Sequence, residues 1–204
     1  KNLDVMDRWI LSKLSNLIKE STENFMNYEY SHTKLATETF FWHTFCDNYL
    51  EIIKDRVYNA EKRGKEERAS AQYGLYNTLL TIIKLMAPIT PFITEELYHA
   101  FYKKHETSKS IHLTGWPNLN LIDEKAENIG DFFVYVLQHI RRAKSEKNLS
   151  LKNPVKKIVA KGKITKADFE KIKLDLIATT NAEEIVFEPL PKDSKIDYEV
   201  VVEI

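Results

Sequence analysis

The sequence predicts a mainly α protein, an antiparallel helix bundle followed by a small α+β appendage. Three observations lead there. Apolar residues recur at spacings of three and four through most of the first 150 positions, the period of helices with one buried face. Only five glycines and six prolines occur in 204 residues, too few for the many tight turns of a barrel or sandwich. After Asn148 the pattern changes to short alternating runs around one helical stretch. The expected organisation is therefore a bundle over residues 1–150 and a β-α-β-β unit over residues 151–204.

The first helix is expected over residues 4–26, with Met6, Ile10, Leu14, Leu17 and Phe25 on its apolar face. Asp4 is placed to cap it, and Asp7 puts an acid in the first turn, where the helix dipole favours negative charge. A connection at 27–30 is short enough to imply an antiparallel neighbour. The second helix, over 31–58, carries the stripe Leu35, Phe41, Phe45, Tyr49 and Ile52, flanked by Phe40, Trp42 and Ile53. So wide a stripe predicts a central position. Residues 61–67 read as a polar loop or frayed helix end broken by Gly64. A third helix follows over 68–86, turning Tyr76, Leu79, Leu80, Ile83 and Met86 inward, and Pro88 requires it to end near Ala87. Thr90 and Pro91 restart a helix to Tyr102, the hydroxyl capping and the proline at the first helical position; it carries Phe92, Ile93, Leu97, Ala100 and Phe101. A long connection over 103–122 leads to a fifth helix over 123–147, with Ile129, Phe133, Val136, Leu137 and Ile140 inward. In the appendage, strands are expected over 155–161, 184–188 and 196–204, and a helix over 166–178 with Phe169, Ile172, Leu176 and Ile177 on one side.

Composition narrows the function. Apolar residues make up 43% and charged residues 29%, normal for a globular chain that buries roughly 70% of its unfolded surface without staples. The lone Cys46 has no internal partner for a disulfide, which fits a reducing, cytoplasmic setting. No signal-peptide pattern or long apolar run is present, so no membrane association is expected. The missing initiator methionine leads us to expect a segment of a longer protein. Thirty basic and thirty acidic side chains balance, removing any argument from bulk charge. Locally the balance fails: residues 141–163 hold nine basic residues against the single acid Glu146.

The sequence carries no signature of reaction chemistry. There is no glycine-rich phosphate loop, no serine elbow, no CxxC pair and no histidine spacing suited to a metal. Glu95 and Glu96 are adjacent and point to different helix faces. No catalytic residue, metal site or cofactor is expected in the chain itself.

Four motifs then carry a family resemblance. Residues 41–51, Phe-Trp-His-Thr-Phe-Cys-Asp-Asn-Tyr-Leu-Glu, resemble the F-W-x-x-F-C-D-x-Y-L-E stretch of valyl-tRNA synthetases, a class I aminoacyl-tRNA synthetase family. Residues 7–14 look like the opening of that family's C-terminal anticodon-binding bundle, and residues 85–97 are similar to its proline-broken segment. Residues 140–151 resemble the segment closing the bundle, in the archaeal-type branch especially. The four occur in family order across residues 4–151; the last fifty residues carry no such motif.

The resemblance implies a helix bundle of the class I anticodon-binding type, with tRNA as partner, in particular the anticodon stem-loop of tRNA(Val), and a catalytic domain elsewhere in the same polypeptide. That domain uses ATP to attach valine to tRNA; its signatures His-Ile-Gly-His and Lys-Met-Ser-Lys-Ser are absent here. Unstacked anticodon bases are read by aromatic stacking and by hydrogen bonds to base edges. Trp42, His43, Asp47, Lys54, Arg56 and Tyr58 offer such groups, with Arg141, Arg142, Lys144 and Lys147 expected on phosphates. Plainer roles stand beside these. Trp42 suits a core, Asp47 could pair an arginine such as Arg8, the cations near residue 58 complement a helix end, and a basic run can simply be solvated. Other readings are the equivalent region of the isoleucyl or another class I synthetase, a helical protein-interaction scaffold with no RNA role, or an unrelated hydrolase, weakened by the missing chemistry.

Overall fold

The computed structural model describes residues 3–191 and 193–203. Helix α1 (Val5–Met26) opens as expected: Asp4 accepts a hydrogen bond from the Met6 amide. After the turn at Tyr28, which takes a left-handed φ of 63°, the chain returns as a continuous helical rod. The rod is not uniform. Its ends, α2 (Tyr30–Thr39) and α3 (Leu50–Tyr58), are α-helical, but Phe40–Tyr49 winds as a π-helix. With bonds reaching five residues back, the buried positions become Phe40, Phe45, Tyr49, Ile52 and Ile53. This corrects the expected stripe: Leu35 and Trp42, inward on a uniform α-helical period, face solvent.

The stretch 61–67, expected as a polar loop or frayed helix end, is mostly helix. Gly64, with φ 112°, separates the one-turn α4 (Ala60–Arg63) from α5 (Lys65–Met86). After Pro88, α6 (Pro91–Phe101) begins with its proline at the first position, but Thr90 does not cap it; its hydroxyl donates back to the Met86 carbonyl. The α6 faces also differ from expectation. Tyr98 is the buried anchor, packed with Tyr102, Leu80, Ile83, Ala87 and Ile111, while Phe92 is 90% exposed and Ile93 and Phe101 also face out. The connection that follows runs back along α1: Trp116 Nε1 donates to Thr22, and the Leu121 and Asp123 amides donate to Ser15 and Ser12. Asp123 then caps α7 (Glu124–Glu146) by accepting from the Ala126 amide.

Beyond residue 150 lie β1 (Val155–Gly162), α8 (Lys166–Thr180), β2 (Ala182–Pro189) and β3 (Tyr198–Glu203). The sheet order is β2-β1-β3, parallel between β1 and β2 and antiparallel between β1 and β3. Ile204, the end of the expected last strand, and Lys1 and Asn2 of the expected bundle lie outside the described residues. One hydrophobic core crosses the 150/151 position. Phe132 of α7 meets Phe187, Phe169 and Tyr198 at centroid distances of 5.6, 6.5 and 5.6 Å. A buried ionic cluster joins the same parts. Arg56 pairs with Asp7 of α1 and lies 3.2 Å from Asp175 of α8, which Arg63 also reaches at 2.6 Å.

Candidate nucleic-acid interface

The helical rod presents one polar, solvent-facing edge. Trp42 (58% exposed), His43, Asp47, Lys54 and Tyr58 open onto it, with Glu51 between them. The winding of 40–49 creates this edge, because burying Phe40, Phe45 and Tyr49 leaves Trp42, His43 and Asp47 outward. His43 Nδ1 lies 3.2 Å from Asp47 Oδ2, and Lys54 donates to Glu51 at 2.6 Å. Trp42 makes a T-shaped contact with Phe41 at 4.9 Å while remaining 58% exposed. Such an exposed aromatic between polar groups can stack on a base.

Helix α7 crosses this edge at Arg141. Its guanidinium donates to the Asp47 carbonyl at 2.6 Å and to Asn48 Oδ1 at 3.1 Å, and Asn48 donates to the His43 carbonyl at 2.6 Å. Arg141 therefore braces the π-helical segment while staying half-exposed. Burial lowers its pKa, but it remains a cation at any ordinary pH.

Two candidates leave the surface. Arg56 is fully buried, with its charge committed to Asp7, Asp4 and Asp175. Burial alone would lower its pKa, but those carboxylates outweigh it and raise it. Arg56 holds the fold and offers RNA nothing. Lys144 is also buried; its ammonium donates to the Leu151 and Thr180 carbonyls at 2.8 and 3.1 Å, and desolvation lowers its pKa. It ties α7 to the appendage. Arg142 is exposed but pairs with Glu146 at 2.8 Å beside Val200 and Val202, away from the Arg141 side. Lys147 is exposed at the end of α7, where its backbone amide donates to the Ala143 carbonyl and the Asn148 amide to the Ser145 carbonyl. The plainer pairing proposed for Asp47 does not form either, since Arg8 bonds Asp123 at 2.6 Å. Cys46 sits half-buried at the core's edge.

A cleft beside Arg141 is lined by Glu51, Asp55, Lys152, Thr179 and Asn181, none of which the sequence singles out as an RNA contact. Lys152 was visible within the basic run. Asn181 was not, because only its left-handed conformation at the end of α8 brings it there. Among the described residues no cluster of three side chains suits a metal ion, and no helix is long and apolar enough to cross a membrane.

Residues 7–159 match the family model for the anticodon-binding domain of tRNA ligases. The chain belongs to that family. This anticodon-binding domain is similar to valine–tRNA ligases of Rickettsia rickettsii (38% identical over 198 residues, 96% of this chain and 23% of the relative), of Wolbachia from Brugia malayi (38% over 186 residues, 89% and 21%) and of Ehrlichia canis (38% over 202 residues, 98% and 24%). The domain thus spans about a quarter of the length of the curated relatives it matches. Those relatives are bacterial, not archaeal, so the archaeal-type branch read from residues 140–151 is set aside. The match to the family model runs past residue 151, where the sequence motifs end, into β1.

Proposed function

We propose that this anticodon-binding domain recognises the anticodon stem-loop of tRNA(Val) as part of a cytoplasmic valine–tRNA ligase, and that it catalyses no step itself. The observation that carries this reading is the exposed Trp42–His43–Asp47–Lys54–Tyr58 edge, crossed by Arg141, on a chain of this family. Trp42 supplies a stacking face, and His43 and Asp47 supply groups for base edges. Lys54 and Arg141 supply charge for the backbone, with Arg142 and Lys147 outlying phosphate contacts. Adenylation of valine with ATP is assigned to the catalytic domain of the same polypeptide. The outward apolar residues of α6, Phe92, Ile93 and Phe101, suit packing against such a domain.

The test is binding of the chain to anticodon stem-loops from valine, isoleucine and an unrelated tRNA at two salt concentrations. The expected result is preference for the valine loop, with log affinity falling by roughly 0.7 per phosphate contacted for each unit of log salt. Equal, salt-independent binding to all three would remove the reading.

A further inference from the structure

A second binding feature lies where the bundle meets the appendage. A cleft of about 310 Å³ opens between α3, α7, the 151–152 turn and the last turn of α8. Its apolar lining is made by the buried Leu137 and Ile140, by Ala178 and by the exposed Leu151. Its charged lining is uneven: Lys54, Arg141, Lys144 and Lys152 against Glu51 and Asp55. Both carboxylates already have partners, Lys54 for Glu51 and Arg63 for Asp55. Among the described residues, Arg141, Lys144 and Lys152 make no ion pair at all. In a chain of zero net charge, this is a local surplus of cations beside an apolar lining.

The wall given by α8 adds acceptors. A helix ends with carbonyls that lack partners within the helix, and Ala178 and Thr179 belong to that last turn. The neighbouring Thr180 carbonyl is held by the Lys144 ammonium, and the Asn181 amide donates to the Lys152 carbonyl at 3.2 Å, so the wall is fixed in place. An apolar lining, helix-end acceptors and a cationic rim suit the face of a base, its exocyclic amino group and its phosphate.

We propose that this cleft holds one unstacked, amino-bearing nucleotide of the bound RNA, with Lys152 and Arg141 on its phosphate and the α8 carboxyl end on its base. Residues 151–181 then form one wall of the RNA site, and the Lys144 and Asp175 attachments keep that wall in register with the bundle. The proposal rests on the reading of the chain as a tRNA binder and assigns it a second contact beyond the Trp42 edge.

The experiment titrates the chain and its variants Lys152→Glu, Thr179→Trp and Trp42→Ala with an RNA hairpin carrying a valine anticodon loop, and with full-length tRNA. Lys152→Glu reverses the exposed rim charge; Thr179→Trp fills the cleft. Expected is a loss of roughly tenfold or more in each cleft variant, the size of one lost base contact, with melting temperatures unchanged. Loss in Trp42→Ala with wild-type affinity in both cleft variants overturns the proposal and leaves the tRNA reading standing. A wild-type chain that binds neither RNA overturns both. Should a cleft variant misfold, cross-linking of a 4-thiouridine-substituted loop to the wild-type chain decides: adducts at 151–152 or 178–181 support the cleft, and adducts confined to 42–47 overturn it.

Discussion

Arg56 grips Asp7 at two points, Nη1 to Oδ2 at 2.8 Å and Nη2 to Oδ1 at 3.1 Å, with both side chains sealed from solvent. Tyr49 adds a third bond to Asp7 at 2.8 Å, and Ser70 a further short one. The residue that sequence reading placed at the RNA surface is a central tie of the fold.

Arg56→Ala leaves the Asp7 and Asp175 carboxylates buried without their main counter-charge. Breaking one side of such a pair costs about 3–5 kcal/mol, which at this size lowers the melting temperature by roughly 6–20 °C. Differential scanning calorimetry measures it. A shift below a degree or two would show that the cluster contributes little to stability.

Asp175 gives a pH signature. Burial pushes its carboxyl up to about 6, against the pull of Arg56 and Arg63. A carboxyl raised in the folded state binds its proton more tightly there than in the unfolded chain. Its stabilising contribution is therefore complete below the unfolded value near 3.8 and is lost as pH rises through 6. Urea unfolding of wild type and Asp175→Asn at several pH values isolates it. The wild type should lose stability relative to the variant between pH 4 and pH 6, on the order of 2–3 kcal/mol. A difference that rises with pH would contradict the assignment.

Gly130→Ala tests the packing of α7 on α1. A methyl group at Gly130 would collide with the indole of Trp9, which is buried and bonded through Nε1 to Asp131 at 3.0 Å. Alanine gains about 1 kcal/mol in helix propensity, but overpacking of this kind costs about 1–3 kcal/mol. Net destabilisation in chemical denaturation is expected. A more stable variant would show that Trp9 can swing aside.

Arg141 and Arg142 are neighbours with different outlooks. Arg141→Ala removes a brace on the π-helical segment and a cation from the proposed RNA edge. Arg142→Ala removes one half of an exposed pair with Glu146, which water and salt screen. RNA affinity should fall several-fold further for Arg141→Ala in parallel titrations. Equal losses would move the RNA path toward the end of α7.

Much of this molecule was legible in its periodicity. The ends of α1, its cap at Asp4 and the order of the appendage follow from local rules of spacing, capping and turn chemistry. The misreadings have one physical origin: a linear pattern assumes one winding and one buried side. The π-helical segment broke the first assumption, so Trp42 was weighed as core when it is surface. Helix α6 broke the second, because its buried side is set by Tyr98 and the chain at Ile111, not by its most apolar residues. Charge was hardest to read. Nothing local marks Arg56 as buried or Arg142 as exposed, since that depends on carboxylates 49 and 119 positions away in the chain for Arg56 and on the crossing of α7 for Arg142.

The change of winding within the rod has a mechanical consequence. A π-helical stretch spends more residues on each turn than an α-helix, so it sets the angular phase between the two halves of the rod. Trp42 points outward within that stretch, while Arg56, about two turns past its end, must point inward at Asp7. Rewinding 40–49 as regular α-helix with α2 held fixed would rotate α3 about its own axis and carry Arg56 away from its anchor. The segment thus couples the outward edge to the buried tie by torsion, and an insertion or deletion there would disturb both at once.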